Sequence, residues 1–587
     1  MKNWPHYKFA LILATFFACT AQANQANTLE ITPITPFPET VAATTKTWAS
    51  FLVTNISSAS VTPINISHFS HKSGLSILDS STCSHILSPS DTCQIDLLLD
   101  AKWPHQNVQE TIKILTTPGY DISRYAIEVF ITESLPKITL KPARASTFLP
   151  KLPAFREPLV ATHDNNWLML SGSFGSFHDF FNEFNTDIYV YDPIENELKS
   201  VLIAATDLPA EVQQQLASSV PEFLQDGDIM YIVGGYYYNP DDESYTTLNT
   251  VTAVDVPGMM HAVKKGEKHL KKYIAYCSAT TTPACPSNPS DPLYPNYFQV
   301  TGGHLGKINH ALYLAFGQNC KGDYCGDGQV YSNAIHKFIA KPNFHNHTLH
   351  LKVLSSVVHD DGDGSGWRRR DYSLAPFMWN GVESLFALAG PFTPEVFAHV
   401  WTNGIMFDGQ INSNDNFIEQ QGNQYAAPHL AMHSRNTSTS YVATFSGLSN
   451  LYWNDTNELI YDDTTPYGNI LDLISSSYSG DAREYVNLKP IYNANPRDPH
   501  IYTGLSAIFI PIEKYYDQRD VLQLDKLPPH SKTMVGYIYG GLISTTNTPF
   551  DNLDGVEVTN QVYEVYVETN AAGKVFWQNV TNVFTQN

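Results

Sequence analysis

Positive charge is scarce: 35 Lys+Arg stand against 57 Asp+Glu in 587 residues, a formal net charge of −22. Such a chain repels phosphodiesters and anionic lipid surfaces, so neither nucleic acid nor a membrane surface is an expected partner. The basic run KKGEKHLKK (264–272) does not offset this, because an isolated charge run forms a solvated turn or helix face. Long apolar runs are also missing. Nothing after the N-terminus approaches the roughly 18 to 20 apolar residues that a membrane helix needs, so no membrane insertion is expected. Long helical periodicity is absent, which excludes a helical or leucine-rich solenoid, and neither a P-loop nor a G-x-S-x-G elbow occurs.

Cysteine is sparse, and its seven copies become orderly once the N-terminus is read. Lys2 and Lys8 precede an apolar run from Phe9 to Ala18, and Ala21-Gln22-Ala23 forms a small-residue cleavage site. Residues 1–23 therefore read as an export signal cleaved after Ala23, which makes the mature chain secreted or periplasmic. Cys19 offers a lipid-anchored alternative, although Phe16-Phe17-Ala18 is a poor version of the usual leucine-led box. The six remaining cysteines fall into close pairs without the two-residue spacing of zinc knuckles. In an oxidising compartment they predict three local disulfides: Cys83–Cys93, Cys277–Cys285 and Cys320–Cys325.

What is abundant is short alternating strand. Residues 24–135 carry TWASFLVTN, VTPINISHF, CQIDLLLD, ETIKILTT and YAIEVFIT between Ser/Pro/Asn-rich turns, the pattern of a β-sandwich. Within it, FLVTNISSASVTPINI followed by STCSHILSPSDTC resembles exported bacterial immunoglobulin-like domains of the hydin/abnormal-spindle type. That resemblance implies a spacer or binding module. A Pro-spaced segment, 136–154, reads as a linker.

Residues 155–587 repeat a hydrophobic strand ending on small residues, at Gly172, Gly235, Gly317, Gly390, Gly447 and Gly541. The glycines lie 63, 82, 73, 57 and 94 positions apart by subtraction, so inserted loops are common. Preceding strands (REPLVA, PEFLQ, FQVTGG, YSLAPFM, APHLAM, TGLSAIFI) and following ones (DIYVYDP, AIHKFIA, QVYEVYVE) complete a four-stranded sheet per repeat. The paired Gly234-Gly235 and Gly540-Gly541, with DIYVYD (187–192) before the turn PIENE, resemble kelch repeats, and no Trp stands on the following strand ELKSV. The string from VTGGHLGKINHALYLAFGQNCKGDYC to NQYAAPHLAMH resembles a family of exported bacterial kelch-like β-propellers. The fold class expected is all-β: an N-terminal Ig-like β-sandwich followed by a roughly six-bladed kelch-like β-propeller. Ring closure is open, since QVYEVYVET and GKVFWQNVT could complete the last blade without an N-terminal strand. PAEVQQQLASSV is the only helix-like stretch.

In a propeller the innermost strands face a central channel, which makes their polar residues the candidates for a site. WRRRDYSLAP stands out. Alternation turns Arg369 and Asp371 to one face and Arg368 and Arg370 to the other, and an Arg fork there could hold a carboxylate, sulfate or acidic sugar, or tie two blades together. His304, Gln424, Tyr425 and His429 are further ligand-binding candidates, with Arg156 and Glu157 in the first blade; a histidine and a carboxylate suffice for glycosidic or epimerisation chemistry. Asp361, Asp363 and Ser365 alternate oxygens in a Gly-rich turn as a structural calcium would require, although Arg369 and Tyr372 occupy the places of the distal ligands. No other cofactor is expected. FHNHTLH sets His345 and His347, but not His350, on one strand face.

Kelch-borne copper radical oxidases need a free cysteine, and here each mature cysteine has a near partner. The closest sialidase-like box, GDGSGW, fails at its aspartate. With no catalytic signature and with loops such as NEFNTD, YYYNPDDESY and NSNDNF, the chain reads as an exported non-catalytic binding or adhesion-type protein that recognises a glycan or protein ligand. The alternative is a carbohydrate-active enzyme, sialic-acid mutarotase-like or glycosidase-like, using the Arg/Asp/His channel site.

Overall fold

The computed structural model describes residues 28–38, 40–42, 46–66, 69–70, 73–101, 107–117, 122–132, 135–143, 152–176, 183–240, 243–288, 294–322, 328–359, 366–388, 390–391, 393, 400–477, 482–491, 502–547, 555–569 and 576–581. The export signal with Cys19, the calcium candidates Asp361, Asp363 and Ser365, and Cys325 lie outside them. The chain is all-β and divides into two units, 1–133 and 134–587.

The first unit holds two four-stranded sheets. One has the order Leu29–Thr35, Lys46–Asn55, Thr92–Asp100, Leu75–Ile77; the other Thr40–Ala42, Ile122–Thr132, Asn107–Thr117, Thr62–Ile66. Lys46–Asn55 and Thr92–Asp100 alternate between buried and more exposed positions, as a strand with one covered face must. Phe51, Val53, Ile95, Leu97 and Leu99 of one sheet share a core with Val108, Ile112, Ile114, Ile127 and Val129 of the other. Asn55, 1% exposed, donates its amide to the carbonyls of Ala59 (2.8 Å) and Leu87 (2.9 Å) and so ties the V-T-N turn to the segment between the cysteines. Cys83 and Cys93 are bonded.

Among the described residues the second unit contains six antiparallel groups of four strands; the second and third groups are joined into one eight-stranded sheet by the parallel pairing of Ile274–Ser278 with Thr348–Val358, and the fifth carries the further strands Leu522–Gln523 and Trp577–Asn579. In chain order the first strands of the six groups are Leu159–His163, Glu222–Asp226, His304–Ile308, Leu374–Trp379, His429–Ser434 and Ile508–Pro511. The second strands, such as Asn166–Leu170, Ala311–Ala315 and Thr439–Phe445, are buried almost throughout, because both of their faces are covered by neighbouring sheets. Alternation divides each strand between two cores: Leu168 and Leu170 pack with Met230 and Ile232 of the second sheet, whereas Trp167 and Met169 pack with Ile510 and Tyr539 of the sixth. Further cores join the second sheet to the third, the third to the fourth, the fourth to the fifth and the fifth to the sixth. Among the described residues six cores thus link these six groups in sequence, the last to the first.

Four sequence expectations are corrected. Lys137–Pro142, read as linker, is the fourth strand of the sixth sheet, paired along Val562–Glu568. The C-terminal Trp577–Asn579 leaves that sheet to pair with Ala482–Asn487 of the fifth. The third sheet begins at His304–Ile308, not in FQVTGG. Beside the expected helix α1 (Ala210–Leu216) there is a second, α2 (Val256–Lys264), in which Asp255 caps Gly258 and Val256, Met259, Met260 and Val263 are buried. The start of the KKGEKHLKK run therefore sits at a helix C-terminus, where cations are favourable. Cys277 and Cys285 are bonded, and Cys320 is disulfide-bonded with its expected partner outside the described residues.

Candidate functional site

The six first strands surround a cavity of about 710 Å³. Just before each strand the chain makes one left-handed step: Glu157 (φ 55°), Val220 (48°), Gly302 (69°), Asp371 (50°), Ala426 (44°) and Ser506 (58°). These six residues are hydrogen-bonded to one another through the backbone. The amide of Glu157 donates to the Ser506 carbonyl (2.8 Å), Ser506 to Ala426 (2.8 Å), Ala426 to Asp371 (2.9 Å), Asp371 to Gly302 (2.7 Å) and Gly302 to Val220 (3.4 Å). A non-glycine residue costs roughly 1–3 kcal/mol in such a conformation, so five of the six positions carry strain at one end of the cavity.

That end is rich in carboxylates. Glu222 is 2% exposed; its Oε1 accepts the Gly303 amide at 2.7 Å, while Oε2 has no hydrogen-bond partner. Burial pushes its pKa up to about 8, against the Gly303 hydrogen bond, and the Asp371 charge adds to the rise. Glu157 accepts the Ser506 hydroxyl on Oε1 (2.9 Å), and its buried Oε2 is unpartnered. Asp371 receives Arg370 Nη1 at 2.9 Å and the Tyr425 hydroxyl at 3.4 Å, both on Oδ2. Burial pushes Asp371 up to about 6; Arg370 opposes this and Glu157 adds to it. Gly302 and Gly303 separate Glu222 from Asp371, and a Cβ on Gly302 would meet Asp371 Oδ1 at 2.7 Å.

His304 and His429 line the cavity from the third and fifth sheets. Both are lowered to about 4, chiefly by burial, so both are neutral at neutral pH. His304 sits edge-on to Tyr372, with ring centroids 5.0 Å apart. At the opposite end most polar groups are matched: Lys307 with Asp226, Gln225 with the Thr162 backbone in both directions (2.7 and 2.8 Å), and Arg519 with Asp517 (3.0 Å). Asp520, open to solvent, is the exception.

The residues singled out from sequence separate into two groups. His304, Asp371 and His429 line the cavity, and Arg370 and Tyr425 reach it through Asp371. Arg369 does not line it: fully buried, it donates to the carbonyls of Gly366 (2.6 Å), Leu388 (3.3 Å) and Asn403 (3.2 Å), and burial lowers it to about 9. Alternation holds for Arg368 and Arg370, which both contact Tyr331, but the left-handed step at Asp371 turns its carboxylate back to Arg370. Gln424 is buried behind the lining with both amide atoms unpartnered. His345 and His347 lie in the turn before Thr348–Val358, and among the described residues no group of three His, Cys, Asp or Glu is placed to hold a metal ion. Glu222 was missed because PEFLQ reads as an apolar strand. An acid opening an apolar strand directly after a proline was the available signal.

No family model and no curated protein matches the chain. Among solved structures, that of YjhT is similar over 64% of this chain and 91% of its own, with 11% identity and a TM-score of 0.33. A mutant of Trypanosoma rangeli sialidase displaying trans-sialidase activity is similar over 70% of this chain and 54% of its own (10% identity, TM-score 0.33). A chain of RAG in complex with one melted and one unmelted RSS is similar over 73% and 99% (11% identity, TM-score 0.33). Likenesses at these scores carry no inference about chemistry.

Proposed function

We propose that this chain is an exported glycan-binding protein, a six-bladed kelch-like β-propeller preceded by an immunoglobulin-like spacer, whose ligand enters the carboxylate end of the central cavity. The observation that carries the reading is the pair of orphaned oxygens, Glu157 Oε2 and Glu222 Oε2, on the wall of a cavity whose other end is largely matched within the protein. A buried carboxyl oxygen without a hydrogen-bond partner costs about 1–3 kcal/mol, which a ligand hydroxyl, able both to donate and to accept, returns on binding. The volume suits a small ligand or a chain end, not a protein surface, and the partly exposed Phe223 and Phe509 offer apolar faces to sugar rings. Two disulfides agree with an extracytoplasmic setting. The test is a glycan and peptide array probed with the wild-type protein and with a Glu157→Gln, Glu222→Gln double variant. Glycan signals that vanish in the variant are expected. Peptide signals alone, or glycan signals that the variant keeps, would remove the reading.

One observation favours a second reading, a carbohydrate-active enzyme. Glu222, raised to about 8, keeps a proton at neutral pH, whereas Asp371, at about 6, has lost its own. A proton donor and a proton acceptor on either side of Gly302-Gly303 form an acid–base pair of the kind that glycosidic or epimerisation chemistry needs. Turnover of any sugar bound on the array, lost in Glu222→Gln with little change in binding, would decide for it.

A further inference from the structure

Resting on the glycan-binding reading, we infer that the carboxylate end of the cavity selects a sugar carrying a protonated amino group. Three carboxyl side chains meet here with oxygens to spare: Glu157 and Glu222 through orphaned Oε2 atoms, and Asp371 through Oδ1, since Arg370 and Tyr425 both bind its Oδ2. Arg370 pairs with Asp371, so the three carboxyl groups outnumber the guanidinium that meets them. His304 and His429 add no charge at neutral pH.

The missing partner is therefore a donor with positive charge. An ammonium group presents three N–H bonds and one charge: Glu157 and Asp371 offer it carboxylate acceptors that Arg370 alone does not balance, and its charge beside Glu222 favours release of the proton that this buried carboxyl holds, which frees a third acceptor. A hydroxyl brings one donor and no charge, and an acetamide brings one donor together with a carbonyl that would face carboxylate oxygens. The glycine pair 302–303 leaves the room: any side chain on Gly302 would occupy the space beside Asp371 Oδ1. The opposite end of the cavity, with Lys307 on Asp226 and Arg519 on Asp517, already supplies its own cations and has no such demand.

The experiment compares three β-1,4-linked tetrasaccharides that differ only at C2: glucosamine, N-acetylglucosamine and glucose oligomers, titrated calorimetrically against the full chain at pH 6.5. The glucosamine tetramer is expected to bind at least roughly tenfold more tightly than the other two, about 1.4 kcal/mol. Glu157→Gln and Glu222→Gln, which keep shape but replace one oxygen acceptor by an amide donor and cannot carry negative charge, should each reduce that preference to under about threefold. Equal or tighter binding of a neutral tetramer by the wild-type protein overturns the amine selectivity and leaves glycan binding standing. A preference that survives both substitutions overturns its assignment to this end. No binding of any of the three, with no signal on the glycan array, overturns both readings together. A far-UV spectrum and melting curve for each variant exclude misfolding as the cause of a loss.

Discussion

At the scale of single residues, the repeat glycines show how much a local conformation can dictate. Five of the six second strands end in two left-handed steps: Ser171 and Gly172, Gly234 and Gly235, Phe316 and Gly317, Ser446 and Gly447, Gly540 and Gly541. The first step has φ between 56° and 73°, which Ser and Phe can adopt at a cost; the second has φ between 85° and 110°, where only glycine is comfortable. Sterics agree, since a Cβ on Gly541 would lie 2.5 Å from the Leu505 carbonyl oxygen and 2.7 Å from the Ala507 amide nitrogen. Gly541→Ala should therefore cost about 2–3 kcal/mol in urea-induced unfolding. Gly227→Ala should cost under about 1 kcal/mol, because φ there is 61° and a new Cβ meets nothing within 4 Å. Equal costs at the two positions would remove the explanation. The same distinction explains why the second glycine of each phrase was legible in the sequence while the first position varied.

At the scale of elements, legibility ended where pairing became nonlocal. The strand DIYVYD could be read from its own alternation and the turn after it. Lys137–Pro142 could not: KITLKP lies between prolines, and its partner strand Val562–Glu568 is more than 400 residues away. What makes it a strand is the open edge of the sixth sheet, which it covers, with Ile138 entering the core shared by the fifth and sixth sheets. Trp577, from the last strand, donates its indole N–H to the Pro136 carbonyl at 2.9 Å and joins the beginning and the end of the second unit at that core. Ile138→Ala should destabilise the second unit by about 2–3 kcal/mol. It should also raise amide hydrogen exchange in Val562–Glu568 more than in the first sheet. Exchange that rises equally in both sheets would mean that the N-terminal strand does not secure this edge. The site was half legible for a related reason: polar residues on first strands could be named, but their meeting at one end depends on the ring of left-handed steps.

At the scale of the molecule, buried titrating groups set how stability follows pH. His304 and His429 are lowered from 6.5 to about 4, so between those values the unfolded chain binds more protons than the folded one, and their contribution to stability rises with pH. The carboxyl groups act in the opposite sense. Asp371, raised to about 6 beside Arg370, Glu157, Glu222 and Tyr425, and Glu222, raised to about 8, hold protons in the folded state that the unfolded chain has released. Their contribution is present below the unfolded carboxyl range and is lost as pH climbs to the folded values. In the fifth sheet a second buried pair behaves likewise: Glu484 receives the amides of Gln421 (2.6 Å) and Gly422 (2.8 Å), and burial beside it raises Asp472 strongly, so the pair retains one proton. Between about pH 4.5 and 6 the two histidines offset two of the three protons that these carboxyl groups retain. Above about pH 6.5 the histidines and Asp371 no longer contribute to the slope, while Glu222 and the Asp472–Glu484 pair still do. Each retained proton costs about 1.4 kcal/mol per pH unit over the interval where only the folded state holds it. Melting temperature should therefore fall between pH 6.5 and 8, and Glu222→Gln, which has no proton to lose, should fall less steeply by one proton's share. Parallel melting curves for the two proteins across that interval would show that Glu222 ionises as readily in the folded chain as in the unfolded one. The buried acid assigned to the ligand site would then be absent.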